Sequence, residues 1–366
     1  MNNKKRGLII AYNGLGNSGV PNLIFQVVKA LSSHYYFDIL VFEDTNFYSE
    51  QLKSLGARII SFQEKRSKSK IRRIGEYFFR RDKNYYTFCK KLIKENGYDS
   101  VHSFKESDSA PFFQAAKECN VSKIIYHCTV IQDGPKNIFR RLIFKHRMRK
   151  SLKLSNIRIG VSEKCCKIAF HKFDSFILHN SYNENLYTYK NVTPSSGLKL
   201  LHISSFSDNK NQFFSVKVLK YLCALDNSSS LVLIGDSGDA KYKNKVTQFI
   251  ADNNLENNVL FARSSQINDI IQNISYYILP SKKEGASIVA IEAQAQGIRI
   301  FASDTLSPDM NVGGCTFLDL HKGPIHWART IYDYYIQHGS ERKRLHLESF
   351  SSAQFEKNIK DIYKID

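Results

Sequence analysis

The chain has 366 residues, 42% hydrophobic and 13% aromatic, enough for two domains that each bury a core; no apolar run reaches the ~18 residues of a bilayer-crossing helix. Its net charge of +19 is uneven: residues 1–190 hold 34 Lys and Arg against 16 Asp and Glu, while residues 191–366 hold 19 against 18. Such an excess attracts anionic headgroups, nucleic acid or phosphorylated substrates, and seven cysteines without a C-x-x-C pair argue against a disulfide framework or zinc site.

Met1 to Arg6 runs straight into the strand-like segment 7–12. It lacks the apolar core and cleavage site of a signal peptide, so a cytosolic address is expected. The next loop, 13–21, carries Gly14, Gly16 and Gly19 with Asn17 between them. Glycines there permit close backbone approach and positive φ. The spacing spells G-x-G-x-x-G, so a dinucleotide site is one reading, although no acidic residue cleanly ends the second strand, Glu43 being nearest. Runs at 37–42, 57–62, 99–104, 123–128 and 156–161 alternate with helical spacing such as 21–33 and 108–119. That pattern predicts βαβ units and a mostly parallel sheet covered on both faces.

The basic excess is densest at 65–73, 80–81 and 140–150. Within 138–154, Ile138, Phe139, Leu142, Ile143 and Phe144 are mixed with arginines, as in an interfacial helix. A polar stretch, 182–197, ends in Pro194 to Gly197 and reads as a linker. Strands then resume at 198–203, 229–234, 258–261, 276–279 and 298–302. The expected fold is α/β, two Rossmann-like doubly wound domains facing across a cleft: 1–180, a linker 181–197, and 198–349, with 350–366 a terminal helix. Ligands of such sheets sit at the carboxyl ends of the strands.

The strongest local signal runs from Leu279 to Gly297. A buried strand ends at Pro280, a polar turn follows, and small residues open a helix that Gly297 closes. Amides at Gly285, Ala286, Ser287 and Ile288, with the positive end of the helix dipole, can hold a phosphate or a developing anion. Glu284 precedes the helix and Glu292 lies inside it, so one bound molecule could be touched at two points.

These residues resemble the E-x7-E signature of retaining glycosyltransferases of family 4, which adopt the GT-B fold. The resemblance implies that Glu284 contacts hydroxyls of a donor sugar and Glu292 the nucleotide ribose. His202 to Asn211 is similar to the family's V-G-R-F-x-x-x-K-N segment, which grips the donor diphosphate; Lys210 matches the lysine, and Ser205 stands where the arginine is expected. The loop from Gly14 to Gly19 resembles the family's first loop, beside the leaving phosphate and the acceptor. The segments 98–104 and 123–128 resemble two of its strands, which implies that His127 lies near the transferred sugar. Gly160 to Glu163 and Leu178 to Ser181 extend the match, and the terminal helix is expected to return to the first domain. The wider run is similar to enzymes that build bacterial capsule and exopolysaccharide.

The implied reaction moves a hexose-type sugar, with retention, from a nucleotide-diphosphate donor, a UDP-sugar, to a saccharide or lipid-linked saccharide. No cofactor or metal is expected, because nothing supplies paired aspartates to clamp a divalent ion. The basic first half is expected to bind the anionic inner face of the plasma membrane. A donor-binding subunit without catalysis, favoured by Ser205, and a sugar-nucleotide epimerase of the same architecture are the alternatives. Nucleic-acid binding rests on charge alone, without a helix-turn-helix, zinc-finger or RNP signature.

Overall fold

The computed structural model describes residues 4–62, 81–130, 134–135, 137–192 and 197–365. The basic run 65–73 and Arg80 lie outside them. The chain divides into two compact units, 1–181 with 352–366, and 182–351.

The first unit is built on seven strands: β1 (Lys5–Ile10), β2 (Tyr35–Val41), β3 (Arg58–Ser61), β4 (Ser100–Ser103), β5 (Lys123–Cys128), β6 (Ile157–Gly160) and β7 (Phe176–Ile177). They lie in the order β3-β2-β1-β4-β5-β6-β7 with every pair parallel. Leu8, Ile9 and Ile10 are fully buried on successive positions, as a central strand covered on both faces requires. Helix Gly19–Leu31 buries Leu23, Ile24, Val27, Val28 and Leu31, one stripe at 3.6-residue spacing. It packs against the terminal helix Ser352–Tyr363, which buries Phe355, Ile359, Ile362 and Tyr363.

The second unit repeats the plan with β8 (Lys199–Ile203), β9 (Ser230–Ile234), β10 (Val259–Ala262), β11 (Tyr276–Leu279), β12 (Arg299–Ser303) and β13 (Cys315–Leu318). Their order is β10-β9-β8-β11-β12-β13, again parallel throughout. Core side chains fill both faces, Val216, Leu219 and Trp327 in one layer and Ile291, Ile300 and Met310 in the other. Residues 182–192, the front of the expected linker, are counted with this unit. Tyr182 N–H donates to the Phe350 carbonyl at 3.3 Å, and the Tyr189 hydroxyl to the Arg342 carbonyl at 3.4 Å.

Two strands were not expected from the sequence. β7 has two residues, too few to show an alternation or an apolar run, and β13 has four directly after Gly313 and Gly314. Both sheets share one consequence of their order. At β1 and β4 in the first, and at β8 and β11 in the second, the chain winds away in opposite directions, so the loops after those strands adjoin at the carboxyl edge. That is where doubly wound sheets take their ligands.

Candidate functional site

At the switch point of the second unit, loop 204–211 after β8 meets loop 280–287 after β11. Lys282 N–H donates to the Asn209 carbonyl at 2.8 Å, Asn209 Nδ2 to the Lys283 carbonyl at 3.0 Å, and Asn211 Nδ2 to the Pro280 carbonyl at 3.0 Å. Asn211 holds a left-handed φ of 62°, tolerated by its short polar side chain, as the chain turns into helix Gln212–Leu225. Across this stitched floor Lys210 Nζ lies 2.7 Å from Glu284 Oε2, and Lys282 Nζ lies 2.7 Å from Asp208. Ser205 is exposed, and its carbonyl accepts from Gln212 Nε2 at 2.9 Å. Behind it His202 is buried, bonded to Ser215 and Ser204; burial first, then the Lys210 charge, push its pKa down to about 3.

Helix Ile288–Ala295 starts three residues later than the small residues suggest, with Ser287 as an N-cap that makes no side-chain cap bond. Gly285 and Ala286 therefore belong to the loop, and the helix amides begin at Ile288. Gly297 closes the helix with φ +73°, as expected. Gln294 stitches the next loop, donating to the Met310 carbonyl and accepting from Val312 and Gly314 N–H groups.

The two signature carboxylates have opposite surroundings. Glu284 faces an ammonium. Glu292 is partly buried on the helix. Burial pushes its pKa up to about 8, against the opposing pull of the Tyr187 hydroxyl.

In the first unit the equivalent loops are 11–18 after β1 and 104–109 after β4. Lys105 Nζ joins them, donating to the Tyr12 carbonyl at 2.8 Å and lying 3.9 Å above the Phe42 ring. Of the loop glycines, none of Gly14, Gly16 and Gly19 has a positive φ, which corrects that part of the sequence reading. A Cβ on Gly14 would meet Thr45 Oγ1 at 2.0 Å and the Glu43 carbonyl at 2.7 Å, so close packing explains it. Gly16 has ordinary room, Gly19 meets nothing, and Asn17 is exposed.

His127, next to last in β5, is fully buried. Its ring stacks on His102 and Phe104, with Nδ1 3.0 Å from His102 Nε2, and His102 Nδ1 is 2.9 Å from the Tyr363 hydroxyl. Burial, then the neighbouring His102, keep its pKa well below the usual value. Nε2 has no hydrogen-bond partner among the described residues.

Sequence reasoning missed Glu106, in the loop after β4. It is 3% exposed, has φ +48°, and its Oε1 lacks a partner among the described residues; burial pushes its pKa up to about 8. A buried, strained, titration-shifted carboxyl at a switch point marks a functional candidate. Only the strand order could have drawn attention to it. Among the described residues no three His, Cys, Asp or Glu side chains gather as metal ligands, and no helix is long and apolar enough to cross a membrane.

Residues 187–312, which span this second-unit site, match the family described as glycosyl transferases group 1. The Bacillus subtilis (strain 168) protein named "Putative glycosyltransferase EpsF" is 23% identical over 359 residues, covering 90% of this chain and 88% of its own. Among solved structures, a glycosyltransferase from Rickettsia africae ESF-5 aligns with TM-score 0.73 at 16% identity over 100% of both chains. Anabaena Alr3699/HepE, solved with UDP and glucose, aligns with TM-score 0.69 at 14% identity over 99% of this chain and 100% of its own. The fold is GT-B, and with a glycosyl transferases group 1 domain in its second unit the chain is a transferase of the glycosyltransferase class.

Proposed function

We propose that the chain moves a hexose-type sugar from a UDP-sugar to a saccharide acceptor, with retention, in the synthesis of a surface polysaccharide. The observation that carries this reading is the Lys210–Glu284 pair at the second switch point. An ammonium is what a diphosphate seeks, and a carboxylate is what sugar hydroxyls seek; in the structure each satisfies the other. A donor whose phosphates take Lys210 releases Glu284 to accept hydrogen bonds from the sugar, so binding and orientation become one event.

As the bond from C1 to the phosphate oxygen breaks, negative charge builds on that oxygen. Lys210 and the amides at Ser287 and Ile288 are set to receive it. A new bond forms between C1 and the acceptor oxygen, and the acceptor's proton leaves with the nucleoside diphosphate. Glu292 takes the ribose hydroxyls by resemblance; the Gly14–Gly19 loop and His127 serve the acceptor and the reacting sugar on the same ground. The diphosphate charge is met by these groups, and no metal is assigned a part. HepE's complex with UDP and glucose supports the donor class.

The acceptor is assigned as lipid-linked, presented at the anionic inner face of the plasma membrane. Ile138, Phe139 and Leu142 are 61%, 73% and 59% exposed at the tip of helix Ile138–Leu154, with exposed Arg140, Arg141 and Lys145 among them. Further along that helix Arg147 turns inward to Asp82 at 2.8 Å and Asp108 at 3.0 Å.

The exposed Ser205, in the place of a phosphate-binding arginine, favours a second reading, a donor-binding subunit without turnover. A thermal-shift screen of UDP-, GDP-, ADP- and CMP-sugars, followed by transfer and donor-hydrolysis assays, separates the two. A UDP-sugar that raises Tm and is turned over supports the enzyme; a raised Tm without turnover supports the subunit; no shift with any sugar nucleotide removes both.

A further inference from the structure

We propose that Tyr363 and His102 are positioning residues for His127: a relay of two hydrogen bonds puts the proton of the His127 ring on Nε2, so that this side chain meets the reacting sugar as an N–H donor and not as a base. The sugar contact rests on the function proposed above and deepens it; the relay lies wholly within the first unit.

Three elements supply the relay, His102 from β4, His127 from β5 and Tyr363 from the last position of helix Ser352–Tyr363. All three side chains are fully buried. The Tyr363 hydroxyl is 2.9 Å from His102 Nδ1, and His102 Nε2 is 3.0 Å from His127 Nδ1. The rings of His102, Phe104 and His127 stack on one another with centroids 4.6 to 5.2 Å apart and planes within 30°, which fixes the tilt of both imidazoles.

The available hydrogens decide the direction of the relay. Burial pushes the His102 pKa down to about 3 and, with His102 beside it, holds that of His127 well below the usual value. Each ring is therefore neutral and carries one N–H. Two arrangements make both hydrogen bonds. In the first, the phenol donates to His102 Nδ1, His102 Nε2–H donates to His127 Nδ1, and His127 keeps its proton on Nε2. In the second every donor is reversed, and the phenol hydrogen needs a further acceptor. Ser100 Oγ lies near that phenol but makes no hydrogen bond among the described residues, so the hydrogen does not go there. A buried hydroxyl left without an acceptor costs free energy that the first arrangement avoids. The first arrangement also sets the better donor, a phenol, against the better acceptor, an imidazole nitrogen.

One group at the end of the relay stays unmatched. His127 Nε2 has no partner among the described residues, and it lies near the carboxyl edge of β5, where such sheets take their ligands. With the proton on it, Nε2 can give a hydrogen bond to a sugar oxygen and cannot accept one. Taking up a second proton would place a charge where burial opposes it, which argues against general-base work by this ring.

The test starts without substrate, on the full chain carrying nitrogen-15 histidine. The ring signals of His127 and His102 are assigned by their loss in His127→Gln and His102→Gln. Wild type is expected to hold the His127 proton on Nε2 in about fivefold or greater excess over Nδ1, the worth of one hydrogen bond. Tyr363→Phe keeps the ring and removes the hydroxyl, and should bring the two forms to near-equal shares. A proton on Nδ1 in wild type, or a pattern unchanged in Tyr363→Phe, overturns the proposal. The second arm is sugar transfer. Glutamine at 127 supplies an N–H near the place of Nε2, so His127→Gln should keep kcat within about tenfold of wild type while His127→Ala loses about a hundredfold or more, the scale of a lost transition-state donor. Equal losses in the two variants overturn the donor role. If wild type transfers no sugar from any sugar nucleotide, the function proposed above falls and takes the sugar contact with it, while the spectra judge the relay by themselves.

Discussion

Lys210 Nζ and Glu284 Oε2 are 2.7 Å apart, although 74 residues separate them in the chain. The side chains are 29% and 11% exposed, so the pair is accessible yet partly shielded. An ion pair of that exposure adds about 1 kcal/mol or less to stability, and its chief value lies in function. Glu284→Ala and Lys210→Ala are each expected to unfold within about 1 kcal/mol of wild type while kcat/KM for sugar transfer drops by roughly a hundredfold or more, the scale of losing a group that meets transition-state charge. Near-normal transfer by Glu284→Ala in a folded chain would refute the site.

Gly14 and Gly19 look alike in the sequence, and the structure separates them. A Cβ at Gly14 runs into the Glu43 carbonyl and Thr45, while one at Gly19 meets nothing. Gly14→Ala should cost about 1 to 3 kcal/mol, the range for overpacking, because a backbone atom is among the obstacles. Gly19→Ala lies at the first position of helix Gly19–Leu31 and should stay within about 0.5 kcal/mol. Urea midpoints of the two variants check this, and equal losses would contradict it.

The fold was legible because both sheets are covered on both sides, which writes their strands as apolar runs such as 7–12 and 276–279 and their helices as 3.6-residue stripes. The second-unit site was legible because its residues fall in two short runs, 204–211 after β8 and 280–292 after β11. The partners that condition those residues were not. Tyr187 lies 105 residues from Glu292, Tyr363 lies 261 from His102, and Lys105 lies 93 from Tyr12. No local period records such pairs; they follow from strand order. The first loop was read for close backbone approach and positive φ, and the structure shows close packing at Gly14 and positive φ at none of the three glycines.

The exposed tip of helix Ile138–Leu154 gives the membrane assignment a narrow target. Replacing Ile138, Phe139 and Leu142 together by serine should reduce binding to phosphatidylglycerol-rich vesicles by about tenfold or more, given roughly 25 cal/mol for each Å² of apolar surface withdrawn from water. Binding of wild type should weaken with added salt, since the arginines and lysine act through screened attraction. Flotation that is equal for variant and wild type, or absent for wild type at low salt, would remove the assignment.

Glu106 offers a test in the first unit that needs no ligand. Its carboxyl moves from 4.5 to about 8, first because it is buried and then against the pull of a backbone bond at Val130. Between those values the unfolded chain has released the proton while the folded chain keeps it. The unfolded state therefore binds fewer protons, and stability falls as pH rises through that window. The contribution is fully present below about 4.5 and lost by about 8. Glu106→Gln keeps the size and the left-handed backbone and removes the titration. It should match wild type near the acidic end and exceed it near the alkaline end by on the order of a few kcal/mol. Urea unfolding followed from acid to mildly alkaline pH measures the difference. Parallel profiles for the two proteins would show that Glu106 is ionised in the folded chain, and that the carboxyl edge of β4 is wetter than its burial implies.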